Sequence, residues 1–266
     1  MVSEKLHLYQ VADGSCTPDW QAEEGFLAMR PVVGDAGWAE YGPIARFLRG
    51  SSLDEDAHYG FFVPGFTQKT GCSLSQVREM ARASGADADA LLFSEHPHNV
   101  ALFRNVFERG EFFAPGLMEW ARGWFEEMGV ETDPGSLVMG VEQMVLSNCF
   151  TARPRFWRRW LELCASLRRL FERSQGSAEL SRREPIQVEL MRCVAPYMLT
   201  CEPGWRARSA DPFVHGRYPM AWMRADPTDL VVAAAMKHAY KTSNWRQFVE
   251  GYLTLRREIV DRRSSE

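Results

Sequence analysis

Short apolar runs alternate with segments of helical periodicity along most of the chain. Residues 5–11 look like a first strand, residues 58–63 are an aromatic run closed by Pro64-Gly65 that suits a buried strand, and residues 89–93 are predicted as the next strand. The segments between them carry apolar residues at the three- and four-residue spacing of an amphipathic helix. Alternation of strands and helices favours a largely parallel sheet with helices on its faces, so we expect an α/β fold.

Caps and breakers predict where the helices begin and end. Ser73 and Gln76 form a capping box that opens one helix, and Pro154 begins a long helix with one apolar stripe. Residues 99–109 are predicted to form a helix that ends at Gly110. Further predictions are helices at 40–48, 115–129, 185–201, 229–240 and 245–260, strands at 143–152 and 205–209, and a loop at 175–183.

The size and composition of the chain suit a single core. It has 266 residues, of which 45% are hydrophobic and 25% charged, an ordinary globular balance. Neither a clear linker nor an internal repeat divides it. We expect one domain over residues 1–266, with residues 210–266 as a helical C-terminal extension.

The sequence suggests neither export nor a membrane span. The longest apolar candidate, residues 230–236, is much shorter than the roughly 18 residues that a span needs. Residues 1–10 lack an apolar signal core. The six cysteines include no CxxC pair, which favours reduced thiols over disulfides or a metal knot. We therefore expect a cytoplasmic protein.

Charge is distributed unevenly. The net charge of −4 argues against general nucleic-acid binding, but residues 153–183 contain nine arginines and three glutamates. Helical spacing places several of these arginines on the outer face of the helix that begins at Pro154. This face is a candidate for peripheral contact with anionic lipid at the inner membrane face or with a phosphorylated carrier, and the alternative is a solvated helix face.

The segment Ser94-Glu95-His96-Pro97-His98-Asn99 has the side chains best suited to metal binding or acid–base catalysis. GxGxxG, P-loop, GxSxG and HExxH motifs are missing, which removes the simplest support for a dehydrogenase, kinase or hydrolase. This stretch follows a predicted strand, where ligands bind in open α/β sheets. Glu95 and His96 are candidates for a divalent-metal site or for a general base. The alternative is a polar loop in which His98 or Asn99 caps the next helix.

Three other polar residues are candidates for a site. Lys69, followed by Thr70 and Gly71, suits either a phosphate contact or a simple turn. Asn148 stands in an apolar run, as a structural pin or as a ligand contact. Glu189 lies in an apolar helix, where it contributes to a site or faces water.

An ordered series of segments spans most of residues 5–210. The series consists of His7-Leu8-Tyr9-Gln10, Trp38, residues 40–48, His58-Tyr59-Gly60-Phe61-Phe62, Lys69-Thr70-Gly71, residues 89–93, residues 105–112, Ser147-Asn148-Cys149-Phe150, Pro154, Phe156, Trp157, Glu189 and Trp205. It resembles an uncharacterised bacterial polysaccharide-locus family and, more remotely, GT-A-like glycosyltransferases of capsule and lipopolysaccharide synthesis.

The resemblance implies a GT-A-like sheet that holds a nucleotide-diphospho-sugar donor at the strand ends and transfers the sugar to a hydroxyl of a glycan or lipid-linked acceptor. It also implies a divalent cation, Mn²⁺ or Mg²⁺, and a carboxylate base. Ser94-Glu95-His96 stands where a DxD motif is expected. The catalytic residues implied are Glu95 and His96, as metal ligands or base, and Glu189, which with Asn148 contacts the sugar or acceptor. Tyr9, Gln10, Tyr59, Lys69 and Asn148 are implied for substrate binding.

Two other classes of function remain open at this point. A non-catalytic protein that binds a nucleotide sugar or a glycan would use the same scaffold, and the missing DxD motif favours it. A scaffold protein recruited to the membrane by the arginine-rich helix would need no chemistry at all.

Overall fold

The computed structural model describes residues 5–12, 16–17, 19–30, 38, 40–84, 87–94, 96–173, 180–216 and 225–264. Within these ranges six strands form one sheet, and helices surround it. The strands are β1 (Leu6–Val11), β2 (Leu27–Met29), β3 (His58–Phe62), β4 (Ala90–Leu92), β5 (Phe150–Ala152) and β6 (Ala207–Ser209). The helices are α1 (Tyr41–Gly50), α2 (Phe66–Thr70), α3 (Leu74–Ser84), α4 (Pro97–Leu102), α5 (Val106–Phe113), α6 (Leu117–Glu127), α7 (Pro154–Arg173), α8 (Leu180–Arg192), α9 (Val194–Cys201), α10 (Pro212–His215), α11 (Pro227–Ser243) and α12 (Arg246–Ser264).

The sheet is mixed, with the order β2-β1-β3-β5-β4-β6. The pairs β1–β2, β1–β3 and β4–β6 are parallel, whereas β5 runs antiparallel to both of its neighbours. The predicted α/β class is therefore confirmed, and the largely parallel sheet has one reversed strand at its centre. The carboxyl ends of β1, β3 and β4 and the beginning of β5 lie at the same edge, which we call the carboxyl edge.

One face of the sheet is closed by α1 and α7. Trp157 of α7 is fully buried, stacks on Phe150 and meets Phe61 edge-on, while its Nε1 donates to the carbonyl of Tyr59 at 2.9 Å. This bond satisfies the indole N–H inside an apolar layer, where an unpaired donor would be costly. The side chain of Phe47 brings α1 against the same layer.

The opposite face carries a second aromatic layer. Phe62 and Phe66 lie 4.4 Å apart between ring centroids, and Phe26 and Phe93 contact them. All four are buried. Since consecutive strand residues point to opposite faces, Phe61 and Phe62 supply the two layers from adjacent positions of β3.

Two predicted elements are wrong in extent. The helix predicted for 99–109 is interrupted at Asn105, whose Oδ1 accepts from the backbone N–H of Glu108 at 2.9 Å and so begins α5 as a new helix. Its Nδ2 donates to Leu137 O at 2.7 Å, which fixes the break. Of the strand predicted for 143–152, only β5 pairs, and the preceding residues form turns.

Other boundaries agree with the sequence or move by a few residues. The capping box is confirmed, because Ser73 N donates to Gln76 Oε1 at 2.7 Å and Gln76 N to Ser73 Oγ at 3.3 Å. α8 begins at Leu180 and contains Pro185 instead of starting at it. Part of the predicted loop at 175–183 lies outside the described residues. The sequence analysis missed β2, α2 and α10, which have three to five residues each.

The elements described after β6 are all helices. Lys237 of α11 binds them to the end of α4. Its side chain is fully buried, and Nζ donates to Val100 O at 2.7 Å and to Phe103 O at 2.6 Å. These carbonyls lie at the end of α4, where backbone acceptors lack partners within the helix. Burial lowers the pKa of Lys237 well below its ordinary value.

The described cysteines are free thiols, as the sequence predicts. Cys164 and Cys193 are buried, and burial raises the pKa of both thiols. A raised pKa keeps a thiol protonated and unreactive at neutral pH. These two cysteines therefore act as small core side chains.

We predict that His58 makes stability fall between pH 6.5 and 4. Burial, together with the Arg153 guanidinium, lowers the pKa of His58 to about 4. An unfolded histidine has a pKa of about 6.5, so on acidification the unfolded state takes up a proton that the native state does not. The expected loss of unfolding free energy is on the order of 3 kcal/mol, measured by denaturant titration across this range.

The variant His58→Asn should lose most of this slope, and the exposed His238→Asn should keep it. An unchanged slope in His58→Asn would assign the pH dependence to other groups.

Candidate functional site

The path of the chain creates a topological switch point at the carboxyl edge, which we call the crevice. After β1 the chain forms β2 on one side of it, and it later returns to form β3 on the other side. The segments that leave β1 and β3 therefore diverge. A point where the strand order reverses in this way is where open α/β sheets bind ligands.

Gln10 organises the segment that follows β1. Its Nε2 donates to Glu23 Oε1 at 2.7 Å, and its Oε1 accepts from Glu23 N at 2.8 Å. The same Nε2 lies 3.4 Å from Val63 O, just past β3. Gln10 is 1% exposed. Both ends of the amide are thus engaged within the protein, so Gln10 shapes the crevice from beneath.

Tyr9 and Tyr59 lie on the face covered by α1. Tyr9 stacks on Phe61 at 5.4 Å between centroids and contacts Phe47 of α1. The hydroxyl of Tyr59 accepts from Asp54 N at 2.9 Å, in the segment that enters β3. Tyr59 is therefore oriented toward the edge opposite the crevice and does not join the other predicted residues.

Lys69 lies in α2, directly beyond the carboxyl end of β3. Glycines with positive φ, Gly65 at +76° and Gly71 at +73°, stand at either end of this short helix. A Cβ at Gly71 would come within 1.9 Å of His215 O, so only glycine permits this packing against α10. Lys69 itself is half-buried on this fixed turn.

The segment after β4 delivers His96, His98 and Asn99 to the same edge. Ser94 Oγ donates to Met144 O at 2.5 Å and anchors the start of this segment. The Nδ1 atom of His96 is enclosed and has no hydrogen-bond partner among the described residues. His98 and Asn99 are buried in α4. Glu95, the other predicted metal or base residue, lies outside the described residues.

Ser147 and Asn148 reach this edge because β5 is reversed. Phe93 N donates to Cys149 O at 2.8 Å, which joins the end of β4 to the beginning of β5. Ser147 and Asn148 have φ of 52° and 53°, a left-handed conformation that is uncommon for residues other than glycine. Two consecutive residues of this kind indicate a conformation imposed by the surroundings, as often occurs at functional sites.

Glu189 belongs to a partly buried ion network. Its Oε2 accepts from Arg109 Nη1 at 2.9 Å and its Oε1 from Arg192 Nη1 at 3.0 Å. Arg192 Nη2 also binds Glu40 Oε1 at 3.1 Å, and Arg109 Nε binds Asn99 Oδ1 at 3.2 Å. The network thus connects α1, α4, α5 and α8. Both carboxylate oxygens of Glu189 are held by guanidinium groups.

A cavity of about 310 Å³ opens beside this network. Phe113, Ala114, Glu184, Pro185, Val188 and Glu189 line it. The guanidinium carbon of Arg109 lies 4.6 Å from the ring centroid of Phe113, and half of the Phe113 side chain is exposed. The cavity therefore offers an aromatic face and a carboxylate, the pair of groups that suits a sugar ring and its hydroxyls.

The described residues do not by themselves complete a metal site. Among them, no group of three or more His, Cys, Asp or Glu side chains is spaced to hold a metal ion. Of the predicted pair, only His96 is described. The expected Mn²⁺ or Mg²⁺ thus remains a prediction.

None of the described helices combines the length and the apolar composition that a membrane crossing needs.

Most of the arginines of α7 are engaged by carboxylates of other elements. Pairing lowers the local positive charge that the sequence suggests for this face. The pairs with other elements are Arg155–Asp89, Arg158–Glu55, Arg159–Glu202 and Arg173–Glu127.

Comparison with known proteins yields no match among family models, curated proteins or solved structures. The resemblance to GT-A-like enzymes therefore stays a hypothesis that rests on the order of segments.

Arg109, Arg192 and Glu40 form the network with Glu189 and were not predicted from the sequence. Arg109 lies 80 residues from Glu189, and Glu40 lies 152 residues from Arg192, so no local spacing indicates these two pairs. Arg192 follows Glu189 by three residues in α8, a helical spacing that could have indicated this pair. A weak signal was present in Glu40, a charged residue directly before the apolar α1, because a charge at such a position is buried only when it is paired.

We predict that Arg192→Met destabilises the protein by about 2–3 kcal/mol, because Glu40, only 4% exposed, would lose its guanidinium partner. Denaturant titration measures the loss. The double variant Arg192→Met/Glu40→Gln should recover part of it, since the uncompensated charge is gone. Arg158→Met is the matched control, because its partner Glu55 is exposed and such pairs contribute less than about 1 kcal/mol. Equal losses in Arg192→Met and Arg158→Met would contradict a buried network.

Proposed function

We propose that this protein is a glycosyltransferase with a GT-A-like fold, which transfers a sugar from a nucleotide-diphospho-sugar to a hydroxyl acceptor in bacterial surface polysaccharide synthesis. The observation that carries the proposal is the crevice between β1 and β3, where the strand order reverses. Lys69, His96 and Asn148 come from three separate parts of the sequence and lie around the same edge.

The donor diphosphate is the ligand that Lys69 suits best. Its half-buried ammonium stands on a turn fixed by two glycines, and a bond between an ammonium and a phosphate oxygen is charge-assisted. Asn148 offers an amide that both donates and accepts, which suits sugar hydroxyls. The strained backbone at 147–148 fixes the direction of this amide.

In the transfer step a base takes the proton of the acceptor hydroxyl, and the oxygen attacks the anomeric carbon. The bond from that carbon to the diphosphate breaks, and the diphosphate leaves with the electron pair. Glu95 is the proposed base, and His96, the next residue in the sequence, whose enclosed Nδ1 has no partner in the described part of the chain, is its proposed partner in proton transfer. Lys69 offsets the charge of the leaving group.

The cavity beside Glu189 is the proposed acceptor site. Two guanidinium groups hold the carboxylate of Glu189, so it serves as a fixed hydrogen-bond acceptor for a sugar hydroxyl and not as the base. Phe113 provides a face on which a sugar ring packs. Side-chain hydrogen bonds from Arg109 to Asn99 and to Glu189 connect this cavity to the segment after β4.

A non-catalytic protein that binds a nucleotide sugar or a glycan is the second candidate. The pairing of Glu189 with two arginines favours it, because both oxygens of that carboxylate are engaged. Glu189 therefore cannot assist Glu95, the proposed base, as a second free carboxylate. The two candidates share the donor crevice and differ in turnover.

We predict that one class among UDP-, GDP- and dTDP-sugars raises the melting temperature. Ligand at a hundredfold excess over Kd stabilises the native state by about 2.7 kcal/mol, or roughly 5–10 °C for a chain of this size. Lys69→Ala should reduce the shift, since it removes a phosphate contact. Lys5→Ala is the matched control, because Lys5 precedes β1 and lies at the opposite edge of the sheet.

Turnover separates the two candidates. With the donor identified, Glu95→Gln should abolish release of the nucleotide diphosphate and keep the thermal shift. Donor binding without turnover in the unmodified protein would favour the binding protein. A folded protein that no donor stabilises would refute the transferase and a nucleotide-sugar-binding protein, and would leave glycan binding as the second candidate.

A further inference from the structure

A second cavity, of about 390 Å³, lies between α1 and α7, and none of its lining residues lines the cavity beside Glu189. We call it the arginine groove. Three arginines, Arg46 and Arg49 of α1 and Arg168 of α7, line it together with Tyr41. The remaining lining residues are Gly42, Ala45 and Gly50. Glycine has no side chain and alanine only a methyl group, so the α1 backbone is open to close approach.

The arginines of the groove differ from the other arginines of α7 in their pairing. In the described part of the chain, neither Arg46 nor Arg49 has an acidic partner, and both are exposed. Arg168 lies 3.9 Å from Glu172, the outer limit of an ion pair. The groove thus concentrates positive charge, whereas carboxylates neutralise most of α7 elsewhere.

Aromatic contacts hold two of these guanidinium groups in place. Arg168 lies over the rings of Tyr41 and Trp38, with its guanidinium carbon 5.3 Å from each centroid. Arg49 Nη2 donates to the hydroxyl of Tyr41 at 3.2 Å. Tyr41 is 2% exposed and anchored in the core, so it fixes both arginines before any ligand arrives. Such preorganisation reduces the entropy lost on binding.

We propose that the arginine groove binds a phosphate-bearing ligand, through Arg46, Arg49 and Arg168. Planar guanidinium groups bind phosphate oxygens in pairs, and three of them around one cavity suit a phosphate ester or a diphosphate. The cavity is large enough for such a group with a sugar-sized attachment. The phosphate is supplied either by a soluble compound or by a lipid headgroup, and the proposal is independent of the donor crevice.

The test measures binding of inorganic pyrophosphate by calorimetry at low salt. The double variant Arg46→Gln/Arg49→Gln should weaken the affinity at least about tenfold, because two charge-assisted contacts are lost. The matched control, Arg122→Gln/Arg158→Gln, removes two exposed arginines that pair with Asp133 and Glu55, and it should bind as the parent does. Lys69→Ala should retain the groove-dependent binding, which separates this site from the donor crevice.

Vesicle co-sedimentation separates the two sources of phosphate. Phosphatidylcholine vesicles with about a third phosphatidylglycerol are compared with phosphatidylcholine alone. Sedimentation that needs the anionic lipid and is lost in Arg46→Gln/Arg49→Gln would support a headgroup ligand. Pyrophosphate binding that depends on these arginines, without sedimentation, would support a soluble ligand. If the double variant matches its control in both assays, the proposal is overturned.

Discussion

The antiparallel pairing of β5 between β3 and β4 is the constraint on which the rest of the molecule depends. Because β5 runs against its neighbours, the chain must reach the carboxyl edge before it enters the sheet. Ser147 and Asn148 make that turn in a left-handed conformation. The chain then leaves β5 at the other edge, and α7 runs back across the sheet. Its far end therefore meets the beginning of α1, where Arg168 contacts Tyr41.

Two polar arrangements hold the elements around that edge. The partly buried network from Glu40 to Asn99 joins four helices, and removal of Arg192 would leave the buried carboxylate of Glu40 without its guanidinium partner. Lys237 closes the end of α4 by binding two of its carbonyls. Both arrangements fix the segment that carries His96. They also explain how a short, irregular segment keeps one conformation, which a preorganised site needs.

The sequence predicts those parts of the structure that depend on local pattern. The strands at 58–63 and 89–93, the capping box at Ser73 and the long helix from Pro154 each follow from residues close together in the chain. Asn105 was misjudged because its amide binds Leu137, a contact that no helical period indicates. Tyr59 was assigned to substrate binding from its position in a motif, but its hydroxyl faces the opposite edge. Glu189 was identified, yet its partner Arg109 lies 80 residues away and is brought to it by tertiary structure, whereas Arg192 is a helical neighbour.

Hydrogen–deuterium exchange with and without a bound nucleotide sugar distinguishes the crevice from other binding sites. We expect slower exchange at residues 63–71, 96–99 and 146–149, the segments that meet at the carboxyl edge, and unchanged exchange in α11 and α12. Slower exchange confined to α1 and α7, with none at the carboxyl edge, would contradict it, because the nucleotide sugar would then bind in the arginine groove and not in the crevice between β1 and β3.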